Sequence, residues 1–195
     1  MIFLVTAFGP FGGRSDNASS LALRGLKMAV PEIRTRILPV DAVIAPARLK
    51  QALRQIRPDA LIMLGEAGGS KKIRLETTAW NELDFRIPDI AGRLLNSRPI
   101  KKGSLASLRS TLPLEKFHGL LEKSGHEISW SDDPGRYLCN QIFYTALDEL
   151  DRISLRVPAG FIHLPLEADY PTGRATDALY QIIRMMADLP GGSQA

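Results

Sequence analysis

The stretch IFLVTAFGPFGG, residues 2–13, decides the fold, because an apolar run passes directly into a glycine-rich loop. The stretch ALIMLGEAGG, residues 60–69, repeats this arrangement. Between the two lie amphipathic stretches whose apolar residues have helical spacing. Strands that alternate with helices in this way are typical of an α/β domain. We therefore predict a βα-repeating fold in which strands 2–5 and 60–64 are buried.

Outward from these strands, periodicity and turn residues divide the chain into further elements. The first predicted helix begins near residue 17 or 19, and the other predicted helices span 46–56, 114–121, 138–150 and 176–189. The further predicted strands span 33–40, 73–77, 85–87, 128–130 and 160–164. Residues 98–112 have no dominant period. No repeat or linker interrupts the chain, so we predict one domain over residues 1–195 with a frayed tail at 190–195.

Composition excludes several classes of protein. The chain is 45% hydrophobic and 24% charged, which is typical of globular proteins and not of disordered or coiled-coil ones. No apolar run approaches the ~18–20 residues of a membrane span. The apolar start, residues 1–8, lacks a basic leader and a cleavage site, so we expect a strand there and not a signal peptide. The net charge of +4 forms no basic stripe, which argues against a nucleic-acid partner.

Cys139 is the only cysteine, so the chain cannot form an intramolecular disulfide or a cysteine-rich metal site. The three histidines show no ligand-like spacing either, and we predict no metal and no cofactor. A lone thiol without a secretory signal predicts a reducing cytoplasm.

Cys139 is also the strongest nucleophile candidate. It lies in GRYLCNQIFY, residues 135–144, where a loop passes into a predicted helix. Unpaired N–H groups and the positive end of the helix dipole favour a thiolate at such a position. The alternative is a small buried hydrophobic residue, which is the commoner role of a lone cysteine.

Among the histidines, His163 has the position expected of a functional group. It ends the apolar strand GFIHLP, residues 160–165, and functional groups gather at the carboxyl ends of strands in α/β sheets. A hydrogen-bonded structural histidine is an equal alternative. His118 falls in a predicted amphipathic helix and His126 in a polar turn, so we predict that both are solvated.

Acidic candidates cluster in KIRLETTAWNELDFRIPD, residues 72–89. Glu76 lies within a strand-like run, Arg86 is predicted to be partly buried between apolar neighbours, and Asp89 could cap a turn. A structural ion pair among these three is the alternative to a catalytic role. The loop FGPFGG, residues 8–13, matches no phosphate-binding pattern, and its two phenylalanines suit an apolar slot.

Four ordered motifs resemble those of the pyroglutamyl peptidase I family, cysteine exopeptidases that remove an N-terminal pyroglutamate. The motifs cover nearly the whole chain: LVTAFGPFGG followed by Asn17, LGEAGG followed by Glu76 and AWNELDFRIPD, GRYLCN, and GFIHLP. The resemblance implies a three-layer α/β/α sandwich with a central, twisted, mostly parallel sheet. It also implies pyroglutamyl peptides as substrate partners, and assembly into a homo-oligomer, commonly a tetramer.

By the same resemblance, Cys139 is the nucleophile, His163 the general base and acid, and Glu76 the residue that orients the imidazole. Arg86 falls near the oxyanion and Asp89 near the site. The residues that match a lactam pocket are Phe8, Phe11, Asn17, Ile87 and Tyr137. A thiol hydrolase needs such a triad, because a thiolate attacks the amide carbon, an imidazolium protonates the leaving amine and a carboxylate holds the tautomer.

The sequence departs from the family pattern at Ala7, Ala18, Pro134 and, with most consequence, at Glu66, where the family generally has glutamine. A carboxylate in an apolar slot must take up a proton or find a cation. If a resident cation neutralises Glu66, the slot still suits a neutral lactam, and we favour this outcome. Otherwise the carboxylate could receive a substrate's α-ammonium. Two alternatives therefore stay open: the same triad acting on another N-terminal residue or small amide, and a catalytically weak binding protein on this scaffold.

Overall fold

A computed structural model describes residues 1–189, which form eight strands and five helices. The strands are β1 (Phe3–Phe8), β2 (Arg34–Leu38), β3 (Ala60–Glu66), β4 (Ile73–Glu76), β5 (Thr78–Trp80), β6 (Ser107–Arg109), β7 (Ile128–Ser131) and β8 (Ala159–Leu164). The helices are α1 (Ala18–Ala29), α2 (Ile44–Ile56), α3 (Leu114–Lys123), α4 (Leu138–Arg152) and α5 (Thr172–Asp188).

Six strands form the central sheet, in the order β2-β1-β3-β8-β4-β7, and β5 pairs with β6 in a separate antiparallel ribbon. Neighbours in the central sheet run parallel except for β4 and β8, which are antiparallel. Strands β1 and β8 are buried along their whole length, as expected of apolar strands that helices cover on both faces.

Helices cover the sheet on both sides. On one face, α1, α3 and α5 contribute Leu26, Phe117 and Ile182 to a buried core. On the other, α2 and α4 contribute Leu53 and Ile142 to a second core. The three-layer α/β/α sandwich with a mostly parallel sheet is therefore confirmed. No helix within residues 1–189 is long and apolar enough to cross a membrane.

Most predicted elements are confirmed with shifted ends, but three predictions differ. Residues 85–87 form no strand. They lie in the irregular excursion between β5 and β6, residues 81–106, where Phe85 N–H donates to Leu95 O. Helix α5 begins four residues earlier than predicted, at Thr172. His126, predicted to be solvated, is buried and hydrogen-bonded to the Tyr170 hydroxyl at 2.6 Å. The single domain stays a prediction, and the predicted frayed tail, 190–195, lies outside the described residues.

Candidate active site

Cys139 is held at the N-terminus of α4. Tyr137 precedes the helix in an extended conformation (φ −96°, ψ −160°), and the apolar side chains of Leu138 and Ile142 fix the first turns in the core. The thiol is free and partly exposed. Cys139 therefore stands in the first turn of α4, where the N–H groups of the helix lack intrahelical acceptors.

His163 lies one residue before the end of β8 and is 4% exposed. Its Nδ1 is 2.7 Å from Glu76 Oε1, across the antiparallel pairing of β8 with β4. Burial alone would lower the pKa of His163. The charge of Cys139 and a hydrogen bond to it, together with the hydrogen bond and charge of Glu76, outweigh burial and raise the pKa to about 9. The imidazole therefore holds its proton at neutral pH.

Gly65 of β3 provides the space in which the thiol sits. It is the register partner of His163, and a Cβ built on it would lie 2.8 Å from Cys139 Sγ and 2.7 Å from Phe161 Cζ. Any larger residue would force the ring or the thiol to move. This requirement was missed at the sequence level, where Gly65 was only the start of a loop.

Arg74, also missed from sequence, is the second cation at Glu76. Its Nη2 is 3.2 Å from Glu76 Oε1 and 2.5 Å from both Ser131 Oγ and Asp133 O. Glu76 is fully buried, and its Oε2 has no hydrogen-bond partner among the described residues. Arg74 and His163 together therefore offset the charge of a carboxylate that water does not reach.

A cavity of about 810 Å³ opens onto Cys139 and His163. It is lined by most of the residues that the sequence predicts for the site: Phe8, Phe11, Asn17, Glu66, Arg86, Ile87 and Tyr137. Glu76 lies behind His163 and does not line it. Within residues 1–189, no group of three or more His, Cys, Asp or Glu side chains is arranged to hold a metal ion.

Aromatic rings build one wall of the cavity. Phe85 packs edge-on against Tyr137, with ring centroids 4.5 Å apart, and Phe11 lies 6.3 Å from the same ring. The Tyr137 hydroxyl donates to Pro88 O at 3.1 Å, and burial raises the pKa of Tyr137 to about 12. The tyrosine is therefore a neutral, fixed ring that suits an apolar ligand face.

Asn17 caps helix α1 and faces the cavity as well. Its Oδ1 accepts hydrogen bonds from Ser19 N at 3.0 Å and Ser19 Oγ at 2.5 Å. The amide oxygen is thus used by the helix cap. The amide nitrogen is the group of Asn17 that remains available to a ligand.

Glu66, at the end of β3, is paired with a cation. Both carboxylate oxygens contact the Arg14 guanidinium, with Nη2 3.2 Å from Oε2, and Oε2 also accepts the Ala18 N–H at 2.7 Å. The Glu66 side chain is 5% exposed and that of Arg14 is 46% exposed. Of the two outcomes considered for Glu66, the structure agrees with the one in which a resident cation pairs with the carboxylate. Its cation directly follows the glycine loop, residues 8–13, for which the sequence predicts only an apolar slot.

One prediction about the acidic segment is wrong, and one alternative considered for it is not observed. Arg86, predicted to be partly buried, is exposed at the cavity rim. The ion pair considered among Glu76, Arg86 and Asp89 does not form, since Arg74 pairs with Glu76 and Arg93 with Asp89.

Asp89 lies near the site without lining the cavity. It is 5% exposed and accepts the Ala42 N–H at 2.9 Å and the Arg93 N–H at 2.8 Å. Burial would raise the pKa of Asp89, but these backbone hydrogen bonds and the Arg93 side chain lower it. Asp89 thus remains ionised and ties the excursion to the loop before α2, as the turn-capping alternative expects.

Comparison with known proteins agrees with this geometry. The family model described as Pyroglutamyl peptidase matches residues 1–176. The Pyrrolidone-carboxylate peptidase of Pyrococcus furiosus is 36% identical over 168 residues, which cover 85% of this chain and 81% of that protein. Pyrrolidone-carboxylate peptidase 1 of Caldanaerobacter subterraneus is 34% identical over 167 residues, covering 85% and 82%.

Solved structures give the same result. A mutant pyrrolidone carboxyl peptidase from Pyrococcus furiosus superposes with a TM-score of 0.89 at 29% identity, covering 97% of this chain and 100% of that one. Pyroglutamyl peptidase I from Bacillus amyloliquefaciens superposes with a TM-score of 0.88 at 29% identity, covering 96% and 95%. The extent of the family match and the identity to these relatives show that the chain belongs to the pyroglutamyl peptidase family, whose members are cysteine peptidases.

Proposed function

We propose that this chain is a thiol exopeptidase that hydrolyses the amide bond after an N-terminal pyroglutamyl residue through a thioester acyl-enzyme. The observation that carries the proposal is the 2.7 Å contact between His163 and Glu76 beside the Cys139 thiol, at one end of a cavity with aromatic walls. The name shared by the relatives, pyrrolidone-carboxylate peptidase, supports the substrate class.

In the proposed first step, the Cys139 thiolate attacks the carbonyl carbon and the C=O electron pair moves onto oxygen. When that oxyanion collapses, the C–N bond breaks and protonated His163 gives its proton to the leaving amine. In the second step, His163 takes a proton from water, the hydroxide attacks the thioester, and Cys139 leaves as thiolate. Throughout, Glu76 accepts a hydrogen bond from the His163 Nδ1–H, so that Nε2 faces the reacting atoms.

Two donors are proposed for the oxyanion: the backbone N–H of Cys139 and the guanidinium of Arg86. The exposure of Arg86 at the rim fits this role, because it leaves the guanidinium free to turn toward a bound substrate. Asp89 acts at a distance in this proposal, by fixing the excursion that carries Arg86.

The lactam ring is proposed to lie among Phe8, Phe11, Ile87 and Tyr137, with its carbonyl toward the amide nitrogen of Asn17. Action on another N-terminal residue and a weak binding role are the alternatives. Both are disfavoured, since the relatives carry the peptidase name and the triad residues lie together.

The test is hydrolysis of a chromogenic pyroglutamyl amide by wild type, Cys139→Ser and His163→Ala. Each variant should lose at least about a thousandfold in kcat, and the double variant should be hardly worse, because triad members act as a unit. Cys139→Ser should also keep the wild-type melting temperature, so that its loss of activity is not a loss of folding. Activity in Cys139→Ser comparable to wild type would refute the nucleophile assignment. A wild type that cleaves no pyroglutamyl amide would refute the proposed substrate class.

We also propose a cytoplasmic location and a homotetramer. The lone free cysteine fits a reducing compartment. Exposed apolar side chains, among them Ile87, which lines the cavity, and Ile90, three residues further along, fit contact with a second copy of the chain.

A further inference from the structure

The cavity wall contains one carboxylate that is paired with an arginine from outside the cavity lining. Glu66 lines the cavity, whereas Arg14 does not. Arg14 reaches both carboxylate oxygens from the glycine loop, where Gly12 and Gly13 adopt φ values of 63° and 76°. These left-handed conformations turn the chain so that the residue after them approaches the end of β3.

The hydrogen bonds at Glu66 leave room for one more donor. An ionised carboxylate offers about four acceptor positions. Arg14 occupies two and the Ala18 N–H a third. One position therefore remains, and a lactam offers a single N–H donor. A free N-terminus instead brings several N–H donors and a positive charge, which would compete with Arg14 for the same oxygens.

We propose that Arg14 is a specificity-determining residue: by pairing with Glu66 it makes the cavity wall neutral, so that the enzyme accepts the pyroglutamyl lactam and rejects an N-terminal α-ammonium. The inference rests on the proposed pyroglutamyl peptidase function. Without Arg14, a carboxylate that is only 5% exposed would face the cavity with its full charge. A desolvated anion of this kind attracts a cationic substrate group and repels the electron-rich lactam carbonyl.

The experiment compares kcat/KM on a pyroglutamyl amide and on the matching prolyl amide, which has the same five-membered ring but a free ammonium. Four proteins are measured: wild type, Arg14→Gln, Glu66→Gln and the double variant. Arg14→Gln should lower the pyroglutamyl-to-prolyl ratio by about a hundredfold, the effect of leaving a desolvated charge unpaired. Glu66→Gln should lower it much less, because the charge left without a partner is then that of Arg14, whose side chain is 46% exposed to water.

The double variant separates charge from loop anchoring. If Arg14 acts through the charge of Glu66, Glu66→Gln restores the ratio that Arg14→Gln loses. If Arg14 only anchors the glycine loop, the double variant stays as impaired as Arg14→Gln, and the proposal is refuted. An unchanged ratio in Arg14→Gln also refutes it.

The matched control is Arg24→Gln, which should keep the wild-type ratio. Arg24 is an exposed arginine of α1 that does not line the cavity. A wild type inactive on the pyroglutamyl amide would instead overturn the proposed function. The two failures are thus distinguishable.

Discussion

At the scale of single residues, the proton on His163 is held by two neighbours against the effect of burial. The charges of Cys139 and Glu76 favour imidazolium, whereas desolvation favours neutral imidazole. The raised pKa of about 9 means that the protonated form persists below that pH and is lost above it. A leaving amine can be protonated only from imidazolium, so the alkaline limb of kcat/KM should follow this group.

Glu76→Gln should move the alkaline limb to lower pH. Removing the carboxylate removes one cause that raises the pKa of His163, so the imidazolium is lost earlier as pH rises. The amide oxygen can still accept a hydrogen bond from the Nδ1–H, so we expect kcat to fall by about 10²–10³-fold, less than on loss of Cys139 or His163. The measurement is kcat/KM from pH 5 to about 10.

The control for this pH profile is Glu122→Gln, an exposed carboxylate of α3, which should leave the profile unchanged. An alkaline limb at the same pH in wild type and Glu76→Gln would show that the charge of Glu76 does not raise the pKa of His163.

Sequence patterns predicted the candidate site around Cys139 and His163, but not the arginines that pair with its carboxylates. Cys139 and His163 stand at a helix start and a strand end, and such positions can be read from local pattern. Arg74 lies two residues from Glu76 on one face of β4, a spacing that is visible in the sequence. Arg14 could not be read from local pattern, because its pair with Glu66 joins the loop after β1 to the end of β3. Gly65 was missed for the same reason, since its close neighbour Sγ comes from an element far along the chain.

At the scale of elements, the packing of α1 on α5 depends on a glycine. A Cβ at Gly25 would lie 2.5 Å from Thr176 Oγ1 and 3.1 Å from its Cγ2. Alanine is the better helix former by about 1 kcal/mol. The β-branched threonine is stiff, however, and overpacking costs about 1–3 kcal/mol. The close approach should therefore outweigh the gain in helix propensity.

Gly25→Ala should accordingly destabilise the protein by up to about 2 kcal/mol in urea unfolding. Thr176→Ala removes both clashing atoms, so the double variant should recover most of the loss. Gly119→Ala in α3 is the matched control, because its Cβ would meet nothing within 4 Å, and it should be neutral or stabilising. Equal behaviour of Gly25→Ala and Gly119→Ala would contradict the packing argument.

The elements that sequence misplaced are those with weak periodicity. Helix α5 starts at Thr172, but its buried apolar positions begin only at Ala175, so the polar first turn gave no signal. Residues 85–87 alternate like a strand, yet their backbone pairs within the excursion, where Leu83 and Arg98 form an isolated bridge. Buried strands such as β3 were predicted because they contain an unbroken apolar run, here residues 60–64.

At the scale of the whole molecule, exposed apolar side chains collect on the α2 side of the sheet, beside the cavity. Val43, Ile44, Ile87, Ile90 and Leu94 are each between 42% and 60% exposed. Their segments are tied together, since the Ile90 N–H donates to Val40 O at 3.0 Å and Asp89 accepts the Ala42 N–H. Such a patch fits the proposed homotetramer, because stable interfaces have apolar centres and bury about 1,600 Å².

Ile90→Asp should therefore dissociate the assembly. Ile90 is 60% exposed in the single chain, and a carboxylate placed there would be buried without a cation if a second copy covers the patch. Wild type should sediment at about four times the 21.5 kDa mass of one chain, and Ile90→Asp should raise the dissociation constant at least about a hundredfold. Met28→Asp is the control, because Met28 is 83% exposed on α1, across the sheet from the patch. A wild type that stays at the mass of one chain at micromolar concentration would contradict the tetramer. Equal dissociation of the two variants would show that the interface does not use this patch.

Since Ile87 lines the cavity, an interface on this patch would lie against the cavity rim. Ile90→Asp should then also raise KM for the pyroglutamyl amide while leaving the thiol chemistry intact.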